Sequence, residues 1–121
     1  MKKESEYYTV RQMCQQTGTT RKSLYLYDKE GILKPLLREG PQQHKLYGKE
    51  QLDMLKDIEK YRKSGFYLSD IKLLMEAEKG MEKDIVKGVL IRLNDQLEEI
   101  SQNIQKTQII LKEMEQEDFS H

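Results

Sequence analysis

Cysteine occurs once, at Cys14, so no internal disulfide can form and a thiolate metal site lacks the sulfurs it needs. The only histidines, His44 and His121, form no ligand cluster with each other or with Cys14. No metal, no cofactor and no thiol redox switch are therefore expected. Cys14 itself reads as a small residue on the buried side of a helix. There is no glycine-rich phosphate loop, no paired Cys-His arrangement and no acid–base pair set in a pocket, so no enzyme is expected. There is also no apolar run long enough to span a bilayer and no signal-peptide core. A soluble, cytoplasmic protein without a membrane partner is the expectation. Proline is scarce, appearing only at Pro35 and Pro41, and both fall in one short non-helical stretch.

The 121 residues fit one small globular domain plus an extension. Hydrophobic residues make up 36% and charged residues 35%, a balance that suits a small core joined to a long charged helix. The net charge of zero hides an asymmetry. Residues 1 to 64 hold 14 Lys and Arg against 9 Asp and Glu, whereas residues 65 to 121 hold 7 against 12. The difference is +5 for the first part and −5 for the second, the footprint of a basic nucleic-acid-binding head on an acidic stalk.

The basic part contains the pattern that organises the chain. Thr9 precedes Val10, Met13 and Cys14, whose i, i+3, i+4 spacing marks one face of a helix. Gly18 suits the left-handed end of that helix, and Thr19 or Thr20 can cap the next. A second helix is predicted from Arg21 to Lys29, with Leu24 and Tyr27 inward and Gly31 ending it. Two helices joined by a short glycine-containing turn, with Arg21, Lys22, Ser23 and Tyr25 opening the second, make a helix-turn-helix. Such a helix presents its N-terminal residues to base edges, and its dipole favours phosphate nearby.

Pro35 blocks further helix. Leu36-Leu37-Arg38 and Lys45-Leu46-Tyr47 flank a Gly-Pro turn and predict a β-hairpin wing carrying Arg38, His44 and Lys45 within reach of a phosphate backbone. A third helix is predicted from Gly48 to Ser64 with Leu52, Leu55 and Ile58 on its buried side, and a fourth from Phe66 to Ala77 with Ile71, Leu74 and Met75. Met1 to Glu6 reads as a charged, loose lead-in, and Tyr7 and Tyr8 as aromatic residues packed on the core. Gly80 reads as a hinge.

Beyond it, Val86, Leu90, Leu93, Leu97, Ile100, Ile104, Leu111 and Met114 follow alternating steps of four and three, with Thr107 filling the gap in register. This is a heptad seam on a helix from about residue 81 to residue 116. A lone helix with a bare apolar stripe is marginal in water, so a partner helix is required.

Over roughly residues 7 to 77, and in the long helix that follows, the chain resembles the MerR family of transcription regulators. The resemblance lies in Tyr8-Thr9-Val10, Thr17-Gly18, Ser23 to Asp28, Lys29 to Pro35, His44 to Tyr47 and Arg62 to Phe66, in that order and register. It implies a mainly α fold: a winged helix-turn-helix domain over residues 7–78 with a small hairpin wing, a long coiled-coil helix over 81–116, and a short tail at 117–121. It further implies a homodimer whose coil is antiparallel. That dimer would bind a pseudo-palindromic promoter operator in double-stranded DNA and distort the spacer so that RNA polymerase can engage it. On this reading Thr20, Arg21, Lys22, Ser23 and Tyr25 contact the groove, and Tyr27, Arg38, His44, Lys45, Tyr47 and Arg62 hold the backbone. Two positions depart from the family pattern. Tyr25-Leu26 stands where Arg-Tyr or Arg-Trp is usual, and Gln43-His44-Lys45 where Gly-Tyr-Arg is usual, so the operator sequence does not carry over. No ligand domain is expected after the coil, and no residue names a small-molecule effector. The other classes in view are an architectural or accessory DNA-binding protein and a coiled-coil adaptor.

Overall fold

The computed structural model describes residues 6 to 120, except the side chains of residues 119 and 120. The lead-in before Glu6 and His121 lie outside the described residues. The chain divides between Lys79 and Gly80 into two units.

In the first unit, strand β1 (Tyr8–Thr9) runs straight into helix α1 (Val10–Thr17). Thr9 closes a reciprocal cap there. Its hydroxyl accepts from the Gln12 amide at 3.2 Å, and the Gln12 side chain accepts from the Thr9 amide at 2.9 Å. Gly18 ends α1 at φ 78°, a left-handed conformation that costs glycine no Cβ clash. Helix α2 (Arg21–Lys29) follows after three residues, with Thr20 as its N-cap. Thr19, the other candidate cap, is buried instead and donates to a Glu59 carboxylate oxygen at 2.6 Å, which ties the turn to the third helix.

The wing is strands β2 (Leu37–Glu39) and β3 (His44–Tyr47), antiparallel, with Arg38 opposite Lys45. A third strand joins it. β1 pairs with β3, giving the order β1-β3-β2 and setting Tyr8 opposite Tyr47. A two-residue strand has no periodicity to read, so the pattern suggested only a hairpin. Helix α3 (Lys49–Lys63) buries Leu52, Leu55 and Ile58 as expected. Helix α4 (Leu68–Glu76) starts two residues later than its predicted Phe66. Gly65 at φ 90° turns the chain there, and Phe66 packs its ring on Tyr61 with centroids 5.1 Å apart.

Met13, Leu24, Tyr27, Ile32, Leu33, Tyr47, Leu52, Leu55, Ile58 and Ile71 form one core. Burying each large apolar side chain contributes about 1.5–3 kcal/mol before the entropy of ordering it is set against that gain. This core fixes how α2 and the wing face each other.

The second unit is helix α5 (Glu82–Ser120), 39 residues and about 58 Å long at 1.5 Å per residue. It continues past Gln116 to Ser120, over residues that the sequence reading assigned to a tail. Val86, Leu90, Leu97, Ile100, Ile104, Leu111 and Met114 are each 40–65% exposed, and Leu93 is half-buried.

Among the described residues, the buried Tyr47 hydroxyl has no hydrogen-bond partner. Burial, with the Asp28 charge nearby, pushes its pKa up to about 12. A buried hydroxyl without a partner costs about 1–3 kcal/mol. Tyr47→Phe should therefore leave the denaturant midpoint unchanged or raise it; a loss of more than about 1 kcal/mol would mean that the hydroxyl is engaged.

Candidate nucleic-acid interface

Helix α2 owes its exposed N-terminus to Thr20. The Thr20 hydroxyl accepts from the Ser23 amide at 3.0 Å and donates to the Ser23 hydroxyl at 3.0 Å. This leaves the first turn ordered, with Arg21 and Lys22 exposed on it. The positive end of the helix dipole adds to their charge. Leu24 and Tyr27 turn into the core, while Tyr25 is 62% exposed on the outer side. Between α2 and the wing lies a groove of about 340 Å³, lined by Arg21, Tyr25, Gln42, Gln43, His44 and Lys45 among others. The fold thus brings the basic start of α2 and the tip of the wing to one surface.

The side of the wing toward α2 is built around Asp28, whose side chain is only 9% exposed. Arg38 Nη2 donates to both carboxylate oxygens, at 3.0 and 2.9 Å. Lys45 Nζ lies 2.8 Å from Oδ2 and Lys34 Nζ 3.7 Å from Oδ1. Lys45 also sits 4.7 Å from the centre of the Tyr25 ring, a cation–π distance. Burial alone would raise the Asp28 pKa, but the hydrogen bonds and charges of Lys45 and Arg38 outweigh it and hold the carboxyl below its ordinary value.

A second restraint holds Arg62 at the end of α3. Its guanidinium donates to the Tyr27 hydroxyl at 2.8 Å and lies 5.8 Å from the ring centre. Through this bond α3 is joined to α2. Burial raises the Tyr27 pKa above its ordinary value, and the Arg62 hydrogen bond opposes that shift.

Of the residues singled out in the sequence, Thr20, Arg21, Lys22, Tyr25, Arg38, His44 and Arg62 are exposed, and Ser23 and Lys45 are partly buried. One expectation is corrected. Tyr27 and Tyr47 have no exposed surface, so neither can touch a phosphate; both are core residues, and Tyr27 acts on the surface only through Arg62. Cys14, by contrast, packs partly buried against the core as expected, and burial raises its thiol pKa. Asp28 and Lys34 were missed. The missing signal was the hairpin register, which sets Arg38 against Lys45 and so calls for an anion between them. No group of three or more His, Cys, Asp and Glu side chains among the described residues could hold a metal ion.

The family model for MerR HTH family regulatory proteins matches residues 8–78. No curated protein matches the sequence. Among solved structures, the N-terminal part of MtaN, the multidrug transporter activator of Bacillus subtilis, has a TM-score of 0.64 at 24% identity, covering 83% of this chain and 96% of that one. HiNmlR, described as a MerR family regulator lacking the sensor domain and bound to promoter DNA, has a TM-score of 0.58 at 20% identity, with coverage of 81% and 78%. The HTH-type transcriptional regulator SkgA of Caulobacter crescentus has a TM-score of 0.53 at 26% identity, with coverage of 90% and 78%.

The depressed Asp28 pKa fixes a pH dependence. A carboxyl whose folded pKa lies below its unfolded value of about 3.9 contributes stability above that value and loses it as pH falls toward the folded pKa. Asp28→Asn should cost about 2 kcal/mol at pH 7, the scale of hydrogen bonds to a charged group. The gap from the unmodified chain should shrink below about pH 4. Urea midpoints from pH 7 to pH 3 read this directly, and a gap that stays constant would refute it.

Proposed function

The chain belongs to the MerR family of helix-turn-helix regulatory proteins, and from that membership we propose that it is a homodimeric transcription regulator acting on a pseudo-palindromic promoter operator. One observation carries the DNA-binding reading: the exposed basic first turn of α2 and the wing tip share one surface. With α2 in the major groove, Thr20, Arg21, Lys22, Ser23 and Tyr25 meet base edges and nearby phosphates. Arg38, His44, Lys45 and Arg62 hold the backbone on either side. That HiNmlR, a protein of the same fold, is bound to promoter DNA supports the DNA-binding reading.

The dimer rests on α5. Seven seam residues, each 40–65% exposed, form a stripe that a second helix would cover. In the antiparallel arrangement of the family, each head reads one half-site. The dimer then distorts the spacer between the half-sites, reading deformability as well as bases, and presents the promoter to RNA polymerase.

Footprinting on DNA upstream of the protein's own gene tests the reading. Two protected half-sites one or two helical turns apart, with hypersensitivity between them, are expected. Steep salt dependence without a preferred site would instead mark an architectural DNA binder.

Two variants follow from the geometry. Leu97→Asp places a charge in the seam and should give monomers in sedimentation with weakened operator binding; an unchanged dimer mass would remove the seam from the interface. Tyr27→Phe keeps every charge but releases Arg62, and should weaken operator binding about three- to tenfold in anisotropy titrations, the scale of one hydrogen bond. Unchanged affinity would leave Arg62 outside the contact.

A further inference from the structure

We infer that Asp28 is a positioning residue that sets the sequence specificity of the interface, holding the wing cations and Tyr25 in one arrangement at the cost of general attraction to DNA. The role rests on the DNA-binding reading above and concerns how that surface discriminates between sequences.

The argument starts from the hairpin register. Arg38 and Lys45 are directly opposed across β2 and β3. Like charges so placed repel and destabilise a strand pair. The Asp28 carboxylate contacts both at 2.8–2.9 Å, converting the repulsion into a three-centre bridge. Its position on α2 gives the bridge a second consequence: the wing is tied to the helix that carries the groove-facing residues. Asp28 and Tyr25 are three residues apart and share one helix face. Lys45 reaches both, as a salt bridge to Asp28 and as a cation 4.7 Å from the centre of the Tyr25 ring. The carboxylate therefore restrains Lys45, and Lys45 restrains the exposed ring.

Plain electrostatics gives the opposite expectation for the same residue. A carboxylate among Lys34, Arg38 and Lys45 removes one positive charge from a surface facing a polyanion. Removing it should tighten binding to every duplex and steepen the salt dependence. Positioning predicts that its removal frees three side chains, so that general attraction rises while the specific complex loses its ordered contacts. The two accounts differ in sign on the specific site.

The test uses the full chain, a duplex selected from a random-sequence library by the unmodified protein, and an unrelated duplex of equal length. Anisotropy titrations across a salt series compare the unmodified chain with Asp28→Asn. The expected result is about tenfold weaker binding to the selected duplex, the scale of one charge-assisted hydrogen bond, with equal or tighter binding to the unrelated one. Asp28→Glu keeps the net charge but moves the carboxylate by one methylene. It should also lower the ratio of specific to unrelated affinity, and it serves where Asp28→Asn fails to fold by circular dichroism. Tighter binding to both duplexes by the same factor, or a ratio that neither variant changes, overturns the role of Asp28 alone. An unmodified chain that selects no preferred sequence overturns the DNA-binding reading and this role with it.

Discussion

The surface that faces outward from the helix-turn-helix depends on a buried carboxylate more than on any exposed cation. Arg38 and Lys45 belong to a strand pair with only three residue pairs in direct register, too short to hold two opposed positive charges on backbone hydrogen bonds alone. Asp28 supplies the anion, and it comes from α2 rather than from the wing. The same contact therefore makes the hairpin stable and sets its position against the helix. Desolvating the carboxylate is unfavourable, and the hydrogen bonds and charges of Lys45 and Arg38 outweigh it.

The core beneath divides the aromatic residues by role. Tyr27 and Tyr47 fill the space under α2 and β3. Tyr27 keeps its hydroxyl at the edge of that core, where Arg62 meets it. Thr19 does the same work on the turn through Glu59. Each joins α3 to the helix-turn-helix with a polar contact at the margin of apolar packing, where partial desolvation strengthens the bond.

Much of this was legible in the sequence, for identifiable reasons. The bounds of α2 follow from Thr20 and Gly31, and the wing from Pro35 and the Gly-Pro turn, because caps and breakers are local signals. The buried faces of α3 and α4 follow from spacing. Strand β1 was not legible, since two residues cannot show alternation. The burial of Tyr27 and Tyr47 was obscured by chemistry: a tyrosine beside basic residues suits a phosphate contact and a core equally well, and only the packing decides. Asp28 was hidden because its three partners lie 6, 10 and 17 positions further along the chain, and its meaning appears only once the register of β2 and β3 is known.

The cations of the head thus fall into two populations, and the proposed mode of DNA binding uses them differently. Arg21 and Lys22 stand exposed on the first turn of α2, where side chains are mobile and counterion release is greatest. Arg38 and Lys45 are held by Asp28, and Arg62 by Tyr27. A mobile cation attracts any phosphate, and its flexibility lets it adapt to many backbones with little discrimination. A restrained cation has already lost its rotamer freedom, so it adds little further ordering entropy on binding, and it favours only a backbone whose phosphates lie where it already points. Because A-tracts and flexible pyrimidine–purine steps move phosphates by sequence, a restrained set placed on the backbone as proposed would read DNA shape without touching a base. On the proposed reading, discrimination then resides as much in the contacts that hold the wing as in the side chains that enter the groove.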